Sequence, residues 1–208
     1  DPIPSRGLGD VYKRQCQALT TFPDIQFQYA LVIPAYQEAA TFCERLTEQF
    51  ESLSLLTIVV INQPETDTDE EPQQLLFDFF HKNYSLNWQS ENIYLFQGES
   101  AANAFLVASR FGQEVRIPSK QGVGLARKIG ADLACWLAAN SKIQSPWIGS
   151  TDADAILPSD YFSSMAGKDI QGAGVFDFCH VETEELSSDH AAIYYTTRLY
   201  EQLSLIHI

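Results

Sequence analysis

Short, wholly apolar runs that alternate with helix-period segments limit the fold of this chain more than any other feature. Residues 29–34 (YALVIP) and 57–61 (TIVVI) are continuous apolar runs, which are typical of strands buried on both faces of a parallel sheet. Between them, apolar side chains recur at helical spacing: Phe42, Leu46, Phe50 and Leu53. This spacing predicts a helix that packs on the sheet formed by the two runs.

The same alternation continues towards the C-terminus. It predicts further strands at residues 93–96, 147–150 and 174–178, and further helices around residues 75–80, 125–137 and 191–203. The polar, glycine-containing residues 98–121 instead indicate a loop excursion around a short helix. The predicted fold class is therefore α/β, a mainly parallel, doubly wound sheet with helices on both faces and ligands bound outside the carboxyl ends of its strands.

Length and charge restrict what such a fold binds. The 208 residues suffice for one well-buried domain. The formal net charge is -14, with 27 acidic and 13 basic residues, so the chain would repel phosphate backbones, and nucleic acid is not an expected partner. The four cysteines have no metal-binding or disulfide-framework spacing and favour a reducing, cytoplasmic location. No apolar run approaches the roughly 20 residues of a membrane span, so membrane association is expected only through segments outside this sequence.

The two ends of the chain differ from the rest. Residues 1–15 lack strand or helix periodicity, and residues 203–208 interrupt a helical pattern that is still running. Both resemble translated adapter sequence at the ends of metagenomic reading frames, so we expect a non-native leader (1–15) and tail (203–208). The domain is then residues 16–202, and we expect the natural protein to continue past Gln202.

An acidic pair, Asp152 and Asp154, follows the predicted strand at residues 147–150. In an extended segment alternate side chains share a face, so both carboxylates can bind one divalent cation, with phosphate oxygens and water completing its shell. The alternative is a turn or a helix N-cap, where aspartates are also common. The position at a strand end favours a metal site for Mn²⁺ or Mg²⁺.

Two further segments carry side chains suited to a nucleotide. Gly122 and Gly124 precede a predicted helix whose first turns include Arg127, an arrangement that suits a diphosphate but also suits an ordinary helix start. After the first strand, Tyr36 can stack on a base and Glu38 can accept hydrogen bonds from the base or a ribose. A tyrosine in such a loop is equally compatible with simple exposure to solvent.

Taken together, the three segments resemble family 2 glycosyltransferases of the GT-A fold across roughly residues 29–160. ALVIPAYQE is similar to that family's VIPAYNE segment, GVGLARKIGADLA to its GxxxARNxGxxxA helix, and STDADAILPSDYF to its DxD strand end. The resemblance implies that Ala35, Tyr36 and Glu38 border the nucleotide and that Arg127 lies near its base or diphosphate. It further implies that Asp152 touches the ribose or the metal, and that Asp154 binds the metal.

The implied activity is metal-dependent transfer of a sugar from a nucleoside diphosphate donor to an acceptor hydroxyl, with inversion. The chain departs from the family at Asn62, where an acidic turn usually reads the base, although an amide still forms hydrogen bonds. No carboxylate of the chain matches the family's catalytic base, which is expected beyond Gln202. Two alternatives are a haloacid dehalogenase-type phosphatase, with Asp152 as nucleophile and Asp154 as acid, and a non-catalytic nucleotide-sugar-binding module.

Overall fold

The computed structural model describes residues 17–98, 102–113, 115–166 and 172–176. The chain divides into two compact units, Asp1–Ala166 and Gly167–Ile208. In the second unit, residues 174–176 of the predicted strand 174–178 are in neither a strand nor a helix, so that prediction is wrong for these residues. The remainder of that strand, the predicted helix at residues 191–203 and the predicted leader and tail lie outside the described residues.

The first unit is α/β, with three helices on a sheet of six strands. The strands are β1 Tyr29–Ala35, β2 Leu55–Asn62, β3 Ser85–Ser90, β4 Ile93–Gln97, β5 Ala104–Arg110 and β6 Ile148–Ser150. The helices are α1 Thr41–Gln49, α2 Glu71–Asn83 and α3 Gly122–Ala139, and short 3-10 turns lie at Leu19–Thr21 and Ser163–Met165. Among the described residues, no helix has the length and hydropathy needed to cross a membrane.

The spatial order of the strands is β3-β4-β5-β2-β1-β6, and four of them (β5, β2, β1 and β6) run parallel. β4 pairs antiparallel with both β3 and β5, so the sheet is mixed where the sequence predicts a parallel third strand. The cause is the two-residue link between β3 and β4, because so short a connection can join only antiparallel strands.

Strand β5 corrects the prediction of a loop excursion at residues 98–121. Its first five residues, Ala104 to Ala108, are buried, and the strand lies between β4 and β2. The polar segments on both sides of this apolar run masked its strand character. The edge strand β3 was also not predicted, because its residues are exposed or half-buried and its apolar alternation is limited to Leu86 and Trp88.

Two apolar layers cover the sheet. α3 packs on one face, with Ala126, Ile129 and Leu133 meeting Val32 and other inward side chains of the parallel strands. α1 and α2 pack on the opposite face. Because β2 lies between these layers, all eight of its residues are buried, which explains its continuous apolar sequence.

Gly130 allows α3 to approach the sheet closely. A Cβ atom at this position would lie 2.3 Å from Cγ1 of Val32 and 3.3 Å from Cγ2 of Val60. These valines lie on β1 and β2, so the glycine packs over two of the strands whose carboxyl ends carry predicted site residues, Ala35 and Asn62. Gly124, by contrast, has open space around the same atom.

Candidate functional site

The carboxyl ends of β1 and β6 define the place where a ligand is expected. From β1 the chain moves outwards to β2 and β5, and then crosses back through α3 to form β6 on the other side of β1. In open α/β sheets, such a reversal of strand order leaves a crevice at the carboxyl edge, and ligands bind there. The residues after β1 and β6 are those that the sequence singles out.

The acidic loop, residues 151–158, follows β6 directly. Asp152 and Asp154 are exposed, whereas Ala153 between them is only 3% exposed and packs in the core with Leu157. The segment is a turn, in which the amide of Ala155 donates to the carbonyl oxygen of Asp152 at 3.3 Å, and not the extended strand that the sequence suggests. Both carboxylates face solvent, and their convergence on one cation stays a prediction.

Glu38, in the loop after β1, shares the electrostatic environment of this acidic pair. Burial raises the pKa of Glu38, and the negative charges of Asp154 and Asp152 raise it further. The three carboxylates therefore repel one another without a cation. Within the described part of the chain, however, no three His, Cys, Asp or Glu side chains form a group that could hold a metal ion by themselves.

Substitution of Glu38 should report this repulsion. A raised folded-state pKa means that ionising Glu38 costs free energy only in the folded protein; the cost is absent below the ordinary pKa of a glutamate and is complete above the raised value. We therefore expect Glu38→Gln to increase the free energy of unfolding at about pH 7, by less than about 1 kcal/mol because the side chain is partly exposed. The gain should shrink as the pH is lowered towards the ordinary pKa.

Urea denaturation at several pH values measures this effect. Glu44→Gln is the control, because it removes an equal charge from an exposed position in the first turn of α1. Equal or lower stability of Glu38→Gln at neutral pH would contradict the repulsion.

Arg127 neutralises part of the acidic loop. Its guanidinium forms an ion pair with the carboxylate of Asp152, and both side chains are about half exposed. The helix that carries Arg127 begins at Gly122, whose φ of 46° is a left-handed conformation that glycine adopts without strain. The first turn of α3 contains no acidic residue, and no side chain caps it, so its amide groups remain suited to an anion.

Tyr36 and Gln37, at the end of β1, contact the loop after β2. The Tyr36 hydroxyl donates to Oδ2 of Asp67 at 3.1 Å, and Nε2 of Gln37 donates to the same oxygen at 3.4 Å. The Tyr36 side chain is 39% exposed, which leaves its ring accessible at the crevice. Ala35 was also predicted to border the nucleotide. It is buried, so its side chain is not exposed at the crevice.

Asn62, at the end of β2, is used inside the fold. The residue is buried, and with its amide nitrogen facing the carbonyl oxygens of Val60 and Ala35 it donates to both at 3.3 Å. The amide thus ties the end of β2 to the end of β1. Its predicted role as a partner of the base would require it to leave these acceptors.

Gln63, which the sequence does not single out, lies next to Asn62 and forms hydrogen bonds to the loops around it. It is fully buried, and its Nε2 donates to the carbonyl oxygens of Asp67 and Asp69 at 3.2 and 3.0 Å. Its Oε1 accepts from the amide of Gly112 and from Nε of Arg116, both at 3.0 Å. One side chain therefore joins the loop after β2 to the loop after β5. An amide at a strand end has no sequence signature that would reveal this role.

A second contact supports the same junction. Arg116 donates to Oε1 of Glu70 at 2.6 Å, and an isolated parallel bridge pairs Pro64 with Ile117. The Arg116 side chain is 15% exposed and that of Glu70 is 44% exposed, so the ion pair is shielded from solvent on the arginine side. The Asp67 that contacts Tyr36 is consequently held by both loops.

Arg110 is a second cation that sequence reasoning missed. It ends β5, is the register partner of Asn62, and lies two strand spacings, about 10 Å, from the end of β1. Burial lowers its pKa, its Nε has no hydrogen-bond partner, and no ion pair to it is found among the described residues. A partly buried guanidinium without a carboxylate partner favours an anionic ligand.

Comparison of the chain with protein-family models, with curated proteins and with solved structures found no match.

Proposed function

We propose that the first unit binds a nucleoside diphosphate sugar together with Mn²⁺ or Mg²⁺, as the donor-binding part of a glycosyltransferase with the GT-A fold. The observation that carries this proposal is the position of Asp152 and Asp154, which are exposed after β6, with Asp152 joined to α3 by its ion pair with Arg127. This position is the reversal point of the strand order, where α/β sheets bind nucleotides.

The acidic side chains fit a divalent ion that arrives with a diphosphate. Such ions take one or two protein carboxylates and complete their shell with phosphate oxygens and water. Asp152 and Asp154 are of the right number and type, and their repulsion with Glu38 is relieved by a cation. A site that needs the phosphate oxygens to be complete is also consistent with the lack of a three-residue metal group in the described part.

Cationic side chains and an aromatic ring are available to bind the diphosphate and the base of the donor. Arg127 and the amides at the start of α3 suit the diphosphate, and Arg110 offers a second positive charge further along the same edge. The exposed ring of Tyr36 suits stacking on a base.

In the proposed reaction, an acceptor hydroxyl attacks the anomeric carbon of the sugar, and the bond to the nucleoside diphosphate breaks. The metal ion would supply positive charge that stabilises the leaving diphosphate. Arg127 would add to this stabilisation, and Asp152 and Asp154 would hold the ion. The resemblance implies inversion, in which a carboxylate base would accept the proton of the acceptor hydroxyl.

Titration calorimetry with UDP-, GDP- and dTDP-sugars, each with and without Mn²⁺, tests the proposal. We expect one of these donors to bind in the presence of the metal, and metal and donor to increase each other's affinity. Binding that ignores the metal would favour a non-catalytic nucleotide-sugar-binding module. Release of phosphate from a simple phosphomonoester, blocked by Asp152→Asn, would replace the proposal with a haloacid dehalogenase-type phosphatase.

Arg127 should contribute to donor binding and little to stability. We expect Arg127→Ala to weaken nucleoside diphosphate binding about tenfold at saturating Mn²⁺, because a charge-assisted contact is lost. The melting temperature should barely change, since exposed ion pairs contribute about 0–1 kcal/mol. Lys128→Ala is the matched control, because this neighbouring cation pairs with Asp132 along the helix. Equal losses in both variants would indicate a general charge effect.

A further inference from the structure

Helix α1 holds the acidic loop through two side chains on successive turns. Nη2 of Arg45 donates to the carbonyl oxygens of Ala153 and Ala155, at 2.8 and 2.9 Å. Nε2 of Gln49 donates to the carbonyl oxygen of Leu157 at 2.7 Å. These contacts link α1 to residues more than a hundred positions later in the chain.

The two acceptors of Arg45 lie on either side of Asp154. A carbonyl group and its peptide plane are rigid, so fixing the oxygens of Ala153 and Ala155 restricts the backbone that directs the Asp154 side chain. β6 ends at Ser150, and within residues 152–155 the main-chain hydrogen bonds are limited to the long turn bond between Ala155 and Asp152. The guanidinium therefore restrains a stretch of backbone that lies outside every described helix and strand.

Arg45 brings a positive charge to the acidic loop without an ion-pair partner among the described residues. Its Nε is buried without a hydrogen-bond partner, and among the described residues its guanidinium forms no ion pair. Burying a cation against neutral carbonyl groups is costly, and a neutral donor would tie a loop at lower cost. A positive charge beneath the loop that carries Asp152 and Asp154 offsets part of their mutual repulsion.

We infer that Arg45 is a positioning residue for a divalent cation site: it holds the turn at residues 152–155 in the geometry in which both aspartates face one ion. The inference rests on the proposed function, because it assigns the aspartates to a metal. Arg45 itself does not touch the ion; it acts through the carbonyl groups of the residues before and after Asp154.

The test compares Arg45→Lys with Gln49→Ala. Lysine keeps the charge but cannot reproduce the guanidinium's planar donor group, whereas Gln49→Ala removes the tie to Leu157, which lies beyond the acidic pair. Mn²⁺ affinity is measured by electron paramagnetic resonance, with the metal alone and again with a saturating nucleoside diphosphate (UDP, GDP or dTDP), and exchange of the Ala155 amide is measured by nuclear magnetic resonance. Melting temperatures establish that both variants are folded.

We expect Arg45→Lys to weaken Mn²⁺ binding about tenfold and to speed exchange of the Ala155 amide, since residues that orient metal ligands typically contribute at least this much. Gln49→Ala should leave Mn²⁺ affinity within about twofold at a similar change in melting temperature. Unchanged affinity and exchange in Arg45→Lys would overturn the inference. If the wild-type chain binds Mn²⁺ neither alone nor with a nucleoside diphosphate, the metal site of the proposed function fails, and the inference for the cation site fails with it; faster Ala155 exchange would then show only a structural tie.

Discussion

Asp154→Asn is expected to weaken Mn²⁺ binding on the order of 100-fold and to remove the metal dependence of donor binding, because ligand charge sets the affinity of such sites. Asparagine keeps the size and hydrogen-bonding capacity of the side chain but removes its charge. The residue is exposed, so the fold should be unaffected. Calorimetric titration of metal and donor into both proteins measures the effect.

Asp160→Asn provides the matched control for this experiment. It removes the same charge from an exposed position shortly after the acidic loop, outside the turn that Arg45 holds. Its Mn²⁺ affinity should stay within about twofold of wild type, since exposed charges at a distance are screened by salt. Equal losses in Asp154→Asn and Asp160→Asn would show that the metal responds to net charge and not to a defined site.

Gly130→Ala is expected to destabilise the protein by about 1–3 kcal/mol, although helix propensity alone predicts a gain. The added methyl group would lie 2.3 Å from Cγ1 of Val32, a distance that requires α3 or β1 to move. The stiff χ1 rotamers of valine leave little room for adjustment. A fall in melting temperature of roughly 2–4 °C per kcal/mol is the expected result for a chain of this size.

Gly124→Ala tests whether that loss comes from close packing. Gly124 lies in the same helix, and a Cβ atom added there would have open space around it. Alanine at this position should therefore stabilise the protein by up to about 1 kcal/mol. Opposite signs for the two variants are therefore expected in one denaturation experiment. A gain in both would mean that α3 can move away from β1 and β2 without cost.

The parallel centre of the fold was predictable because burial on both faces leaves a direct trace in the sequence. β1 and β2 are apolar runs for this reason, and α3 shows its packing face at helical spacing. The direction of β4 was not predictable, because it depends on β3, an exposed edge strand whose apolar alternation is limited to Leu86 and Trp88. β5 carries an apolar run, but its polar flanks led to its interpretation as a loop.

The residues of the candidate site also fall into those that the sequence could predict and those that it could not. Charged residues at strand ends could be recognised, and the structure brings Asp152 into contact with Arg127 and into the electrostatic environment of Glu38. Gln63 and Arg45 could not be recognised. Most of their hydrogen bonds join main-chain atoms, which every residue type carries, so the sequence of the partner gives no matching signal.

Because Gln63 holds the loop after β2 and the loop after β5 through one buried amide, neither loop can open alone without breaking the bonds of the other. Local unfolding at this edge should therefore involve both loops as a single cooperative unit. A ligand that touches only one of them would slow the opening of both. A ligand that restricts the motion of Asp67, the hydrogen-bond partner of Tyr36, would in this way also restrict the motion of Arg116. The sheet would not have to move.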